Sequence, residues 1–569
     1  MSNIASLVEM LPRFWRAPAT PDQARRSVLL IVLFATVIRI GLAASTGLGV
    51  DESYWASVSR VPSLSYVDDA PMQGWLVAAA RGLLGSEASL ALRLPFIALF
   101  ALSSLLMFRL TARLFGERAG LWAVVALNLA PVFTLAHGTW ILPDGALIFF
   151  ELAAACVLAS IFFERSSIED RKMRRWLGAG TLGGCALLAK YHGVFIFLGV
   201  FVFLLSASEQ RRWLRTPGPW LGAAVALAVF SPVIVWNSMH DWAGLSFQLD
   251  RLGSNPTFSL ALALDGDSHP PSAPWTGALR MFGGAMLFLG WLIVPLTLVL
   301  VRAMFRGPGR PAEWFLVCLA TGPIVVFSSV GLWANQQFPH WPMPGWLFAF
   351  PLFGAAWAGL EARRPIVVRY SMLAWTIALL AVVGTLVAHI RVNTPSFEAF
   401  RLPLRSDPTI GLLDWKELRK TIAERRLINS ETPAVAAAHW MDAAKVAYAL
   451  GGAVPVVCVC QIPQHFPYVH HPAQFAGRNM IIVEDKLTNR KQRWLARHFA
   501  RLEPLDSVNL HRAGAIVKTL KLYHGIDFRA EGLGSPAPLE ESGATHPPSA
   551  VGDCRSDKQR REREECWVD

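Results

Sequence analysis

The chain has 569 residues, 53% of them hydrophobic and only 17% charged, with 22 tryptophans and a formal net charge of +12. So small a charged share, against about a quarter in soluble domains, excludes an ordinary soluble protein. Repeated apolar stretches of about 17 to 25 residues, each able to cross hydrocarbon as a helix, account for it. The positive charge would suit nucleic acid only if the arginines gathered on one face among base-stacking aromatics; instead they are spread between the apolar stretches.

A basic segment, 1–26, carries Arg13, Arg16, Arg25 and Arg26 ahead of the first apolar window at 27–47. Small residues at 42–45 would suit secretory cleavage, but the basic segment is long and cleavage would remove the anchor in front of an acidic loop, so this window is read as an uncleaved span. Further windows at 90–110, 119–136, 143–163, 176–190, 192–207, 217–236, 280–301, 313–332, 342–360 and 370–391 bring the expectation to about eleven transmembrane helices, the fifth and sixth of them short. Arginine recurs at every second connection: Arg109, Arg113 and Arg118; Arg165, Arg171, Arg174 and Arg175; Arg211, Arg212 and Arg215; Arg302, Arg306 and Arg310; Arg363, Arg364 and Arg369. The positive-inside rule places these connections in the cytoplasm. The opposite loops carry Asp51, Glu52, Asp68, Asp69, Asp144, Asp241 and Asp265. An odd number of spans then puts everything after about residue 392 outside.

Beyond 392 the pattern changes. DWKELRKTIAERR (414–426) and AAAHWMDAAKVAYALGG (436–452) read as helices, VPVVCVCQI as a buried strand, and NMIIVEDK and AIVKTLKLYHG as further strands. They predict a small mixed α/β domain over 392–528, followed at 529–569 by a tail whose glycine, proline and charge point to disorder. The seven cysteines suggest no disulfide framework: Cys156, Cys185 and Cys318 lie in apolar windows, Cys458 and Cys460 share one face of a strand, and Cys554 and Cys566 fall in the tail. No nucleotide fingerprint or phosphate loop is present, so no nucleotide cofactor is expected.

Several short motifs then occur in a telling order: Asp51 and Glu52 just beyond the first span, YVDDAPMQGWL, ALRLPF, HGTWILPDGALIFF, LLAKYHGVFI, SPVIVWNSMHDW and FPHWPMPGW. Together they resemble the polyprenyl-phosphate-dependent glycosyltransferases related to the protein O-mannosyltransferases and the lipid A aminoarabinose transferase, of the GT-C fold superfamily. The resemblance runs from about residue 27 to 391. Many relatives read Asp-His-Pro-Pro and an apolar residue where this chain has Asp68, Asp69, Ala70, Pro71 and Met72. The resemblance implies a multi-pass bacterial inner-membrane enzyme with its active site and C-terminal domain in the periplasm. It would move a sugar, with inversion, from a polyprenyl-phosphate donor to lipid A or lipopolysaccharide, another glycolipid or a polysaccharide. A protein O-glycosyltransferase and a non-catalytic transporter or flippase of lipid-linked glycans are the alternatives; a transporter would be expected to show inverted repeats, which the hydropathy pattern lacks.

Such chemistry needs a carboxylate to take the acceptor's proton and a cation to meet the departing phosphate. By resemblance Asp51 is the base, with Glu52 supporting the loop or the acceptor. Asp144, after Pro143 at a span mouth, positions acceptor or metal, or merely caps its helix. Lys190 interrupts an apolar run and reaches for donor phosphate with Tyr191 and His192, or snorkels to the interface. Arg93, at the second span's entrance, is a further phosphate candidate or an anchor, and Arg251 and Arg280 are weaker ones. A divalent cation could draw on Asp69, His240 and His340, which could equally belong to an aromatic belt. Membrane lipids are expected partners and nucleic acid is not.

Overall fold

The computed structural model of the chain describes residues 21–533 apart from 165–168, 253–273, 331–337, 393–406 and 486. The expected tail beyond 533, with Cys554 and Cys566, the segment 1–20 and Asp265 therefore lie outside the described residues. Helices fill the chain to residue 392: α1 (Pro21–Ser45), α2 (Val50–Val58), α3 (Met72–Leu84), α4 (Ser89–Phe115), α5 (Glu117–Leu129), α6 (Pro143–Phe163), α7 (Glu169–Ala189), α8 (Val194–Ser206), α9 (Pro217–Met239), α10 (Ala243–Leu252), α11 (Pro274–Leu289), α12 (Ile293–Arg306), α13 (Pro311–Val330), α14 (Met343–Leu347), α15 (Ala349–Arg363) and α16 (Pro365–Val392). Prolines open α6, α9, α13 and α16, where a missing amide is no loss.

Each of the eleven apolar windows holds helix, but eight helical stretches among the described residues are long and apolar enough to cross a membrane. The 119–136 and 192–207 windows hold 13-residue helices, and α7 begins with the charged run EDRKMRR. The α1 helix turns Leu33 and Phe34 outward at 62% and 60% exposure, an apolar face that suits lipid and not water. Inside, Phe100, Phe133, Phe350 and Phe353 are fully buried in one core.

The acidic first loop is itself helical, as α2 and α3. Its entrance is held by Arg93 on α4 and Glu52 on α2, which are 0% and 3% exposed. Arg93 Nε and a terminal nitrogen donate to the two Glu52 oxygens at 2.7 and 2.5 Å. Its remaining N–H groups go to the carbonyls of Ala43, Thr46 and Gly47 and to the Thr46 hydroxyl. Glu52 in turn accepts from the amides of Gly49 and Ile141 at 2.7 and 3.0 Å. One fork thus joins the end of α1, the start of α2, the flank of α4 and the segment before α6.

After residue 407 come α17 (Lys416–Glu424), β1 (Ala434–Ala437), α18 (Trp440–Leu450), β2 (Val456–Cys458), the short α19 (Phe466–Val469), β3 (Met480–Glu484), α20 (Asn489–His498), β4 (Phe499–Arg512) and β5 (Ala515–Phe528). The sheet order is β2-β1-β3-β5-β4, with β1 parallel to β2 and β3 and the remaining pairs antiparallel. The strands expected around 456, 480 and 515 are present. The first part of the expected 436–452 helix, however, belongs to the buried strand β1, and the helix begins only where the His439 ring caps it by accepting from Met441 N. The sequence pattern does not predict β4, whose alternation is broken by Pro504 and two register shifts. Cys458 and Cys460, read as unpaired neighbours, form a disulfide.

This α/β layer and the first loop share a core: Tyr54, Trp55 and Tyr66 pack with Trp415, Leu418, Val435 and Val446. Lys445 of α18 is buried and donates to Leu48 O at 2.5 Å and Leu413 O at 3.0 Å. The 412–414 segment lies so close to Gly47 that a side chain there would meet Leu412 O at 2.5 Å. Arg93→Lys keeps a charge but loses the fork, so thermal unfolding of the purified protein should show a loss on the order of 3 kcal/mol. An unchanged melting curve would contradict the clamp.

Candidate active site

Fixing Glu52 inward fixes its neighbour outward. Successive helical residues diverge by about 100°, and Asp51, in the first turn of α2, is exposed. It faces Asp68 and Arg251 electrostatically. Arg93, a sequence candidate for donor phosphate, has every N–H committed to Glu52 and nearby oxygens, so it serves as a clamp and not as a free anion receptor.

Lys190 ends α7 in extended backbone and starts a tight turn, Tyr191–Gly193. Its Nζ donates to both oxygens of Asp144, at 3.0 and 2.9 Å, and both side chains are buried. The cap position of α6 is Leu142, not Asp144, which lies inside the first turn and spends its two oxygens on Lys190. Lysine and aspartate, read from the sequence as separate donor and acceptor groups, are therefore one ion pair. His137 closes a π-helical turn, Val132–His137, and its Nε2 lies 4.0 Å from Asp144 Oδ1. Such turns put an extra residue into the helix and often mark functional sites. His340, in the connection after α13, lies in the field of the same pair, and burial pushes its imidazole down to about 3.

The first loop completes the cluster. Tyr54 donates its hydroxyl to Asp68, whose backbone carbonyl accepts from Gln248 of α10 at 2.5 Å. Burial raises Asp68 to about 6, against the Tyr54 hydrogen bond and the Arg251 charge. Burial raises Asp69 to about 7, with Lys190 the strongest opposing influence. Arg251 faces Asp69, Asp68 and Asp51 while its guanidinium rests over Phe338 and Trp341, 5.6 and 5.8 Å from the ring centres. Tyr191 faces Asp69 and Asp68 as well. His192 is stacked on Phe327 at 4.1 Å.

His240 stands apart from Asp69 and His340. It stacks on Trp236 at 4.2 Å, bonds to Trp236 O and meets Tyr468 of the α/β layer. Among the described residues no three His, Cys, Asp or Glu side chains are gathered so as to hold a metal ion.

Residues 68–236 match the family described as dolichyl-phosphate-mannose-protein mannosyltransferase. The chain is 25% identical over 336 residues to the lipid A galacturonosyltransferase RgtD of Rhizobium johnstonii, covering 57% of this chain and 63% of that protein. It is 28% identical over 289 residues to the lipopolysaccharide core galacturonosyltransferase RgtB of the same organism, covering 50% and 55%. It thus spans 63% and 55% of the lengths of these relatives. The crystal structure of ArnT from Cupriavidus metallidurans bound to undecaprenyl phosphate aligns with a TM-score of 0.55 at 16% identity, over 87% of this chain and 97% of ArnT. The apo form aligns at 0.56. The chain has the GT-C fold.

Within this GT-C fold, α2 carries Asp51 and the connection from α2 to α3 carries Asp68 and Asp69; all three face Arg251, and Asp69 also faces Lys190. His137 is not singled out among the sequence candidates, and Arg251 stands among the weaker ones. HGTWILPDG held a signal for the first, since a histidine seven residues before Asp144 lies about two helical turns away if the intervening chain stays helical. Arg251 is marked locally only by its place beside an external loop, because tertiary packing brings α10 to the first loop. Removing one member of the Lys190–Asp144 pair leaves a buried charge, so Lys190→Met and Asp144→Asn should each lose about 3 to 5 kcal/mol. The double variant should recover most of that loss in unfolding measurements. Strictly additive losses would contradict a coupled pair.

Proposed function

We propose that the protein is a glycosyltransferase that moves a sugar from a polyprenyl-phosphate donor to a glycolipid acceptor at the periplasmic face of the bacterial inner membrane. The observation that carries this reading is an exposed carboxylate, Asp51, facing Arg251, which with the buried Lys190 also faces Asp69, on a GT-C scaffold. Lipid A and lipopolysaccharide core, named in the two relatives, supply the acceptor class. The alternating arginine loops supply the orientation.

In the proposed reaction Asp51 takes the proton of an acceptor hydroxyl as its oxygen attacks the anomeric carbon. The carbon–oxygen bond to phosphate breaks, and polyprenyl phosphate leaves with the electron pair. Lys190 and Arg251 stabilise the charge that develops on the phosphate, where fixed cations act most strongly in a partly buried site. Direct attack inverts the anomeric centre. Asp144 holds Lys190 in place, and Glu52 with Arg93 holds Asp51.

Asp51→Asn keeps size and removes basicity. Transfer of labelled sugar from donor lipid should fall by about 100-fold or more while donor binding persists. Wild-type turnover by a folded Asp51→Asn protein would remove Asp51 from the role of base, and absence of any transfer by the wild type from polyprenyl-phosphate sugars would sink the reading.

A further inference from the structure

The site is short of positive charge. Asp51, Asp68, Asp69 and Asp144 face two fixed cations, Lys190 and Arg251, among the described residues. A sugar-phosphate lipid is a phosphodiester and brings one more negative charge. Lys190 cannot turn fully to that phosphate without abandoning Asp144, which is 2% exposed and would be left as an unpaired buried carboxylate.

One side chain is placed to take over. His137 is 1% exposed, its Nε2 stands 4.0 Å from Asp144 Oδ1, and its Nδ1 has no hydrogen-bonding partner among the described residues. The π-helical turn fixes the ring, whose edge meets Phe133 at 5.4 Å. The charged and titratable groups around it and around the pair it faces come from several elements: Asp144 and the buried Glu151 from α6, Lys190 from the end of α7, His192 from the turn after it and His340 from the connection before α14. Arg39 of α1 lies behind the turn, occupied with Asn128 and Thr134, and Arg280 of α11 is exposed.

We propose that binding of the lipid phosphate is coupled to proton uptake at His137: Lys190 turns from Asp144 to the phosphate, and His137, protonated from solvent, takes over the carboxylate. This rests on the donor assignment made above. The complex then holds one proton more than the separate partners, so affinity is greatest at low pH and falls as pH rises, by up to about tenfold per pH unit. Release of the lipid product would return the proton to solvent and Lys190 to Asp144.

The test is calorimetric titration of the full-length protein in detergent with undecaprenyl methyl phosphate, a phosphodiester that does not titrate near neutrality. Repeating it in buffers of different ionisation enthalpy measures proton exchange directly. The wild type should take up close to one proton between about pH 6.5 and 8, and His137→Gln should lose that uptake and the pH dependence. Asp69→Asn, which removes the competing proton acceptor of the first loop, should keep both. Binding by the wild type without proton uptake would overturn the coupling and leave the donor assignment standing. Uptake that survives in His137→Gln or vanishes in Asp69→Asn would overturn the assignment to His137. A failure of the wild type to bind the phosphodiester at all would overturn the donor assignment and this proposal together.

Discussion

A carboxylate buried at the mouth of a membrane bundle has to be neutralised where it stands, and the fork between Arg93 and Glu52 does this. An isolated charge in such surroundings would cost several kcal/mol, yet here Glu52 accepts from the guanidinium and from two backbone amides. The consequence lies one residue away. With Glu52 pinned inward and the backbone of residues 43–47 tied to the same guanidinium, Asp51 has one direction open to it, toward the loop that carries Asp68 and Asp69. The two adjacent acids thus divide into an anchor and an exposed group.

The second buried pair, Lys190 with Asp144, is organised differently. Arg93 has no donor to spare, whereas the Lys190 ammonium has three N–H groups and two Asp144 oxygens to serve. A compact ammonium on a flexible stem can also change partners, which a guanidinium held at six oxygens cannot. Around it the first-loop acids, Arg251 and three imidazoles form a field in which adding or removing one charge matters. The α/β layer closes this assembly from the far side, since Tyr54 is the residue that both bonds Asp68 and accepts from His465 N at 3.1 Å.

Much of this was legible in the order of the residues. Apolar windows gave the helices because lipid imposes length and composition, and the motifs holding Asp51, Asp144 and Lys190 flagged side chains too polar for their surroundings. The partnerships were not legible. Arg93 reads as a phosphate ligand until its oxygens are seen 41 and 46 to 50 residues away along the chain. Strand β1 was hidden because AVAA suits either helix or strand, and only its place between β2 and β3 decides. The first loop reads as a loop because its helices are short and lie among acids, and α10 carries no local sign that Arg251 reaches them.

In the proposed reaction a lipid phosphate is received between Lys190 and Arg251, with Asp51 exposed on the acceptor side. A structure of the full-length protein with bound undecaprenyl phosphate tests this most directly. Phosphate oxygens are expected within about 3 Å of Lys190 Nζ, with Arg251 turned toward the same group and the Glu52–Arg93 fork unchanged. A phosphate bound at Arg93, with that fork broken and the Lys190–Asp144 pair intact, would contradict it.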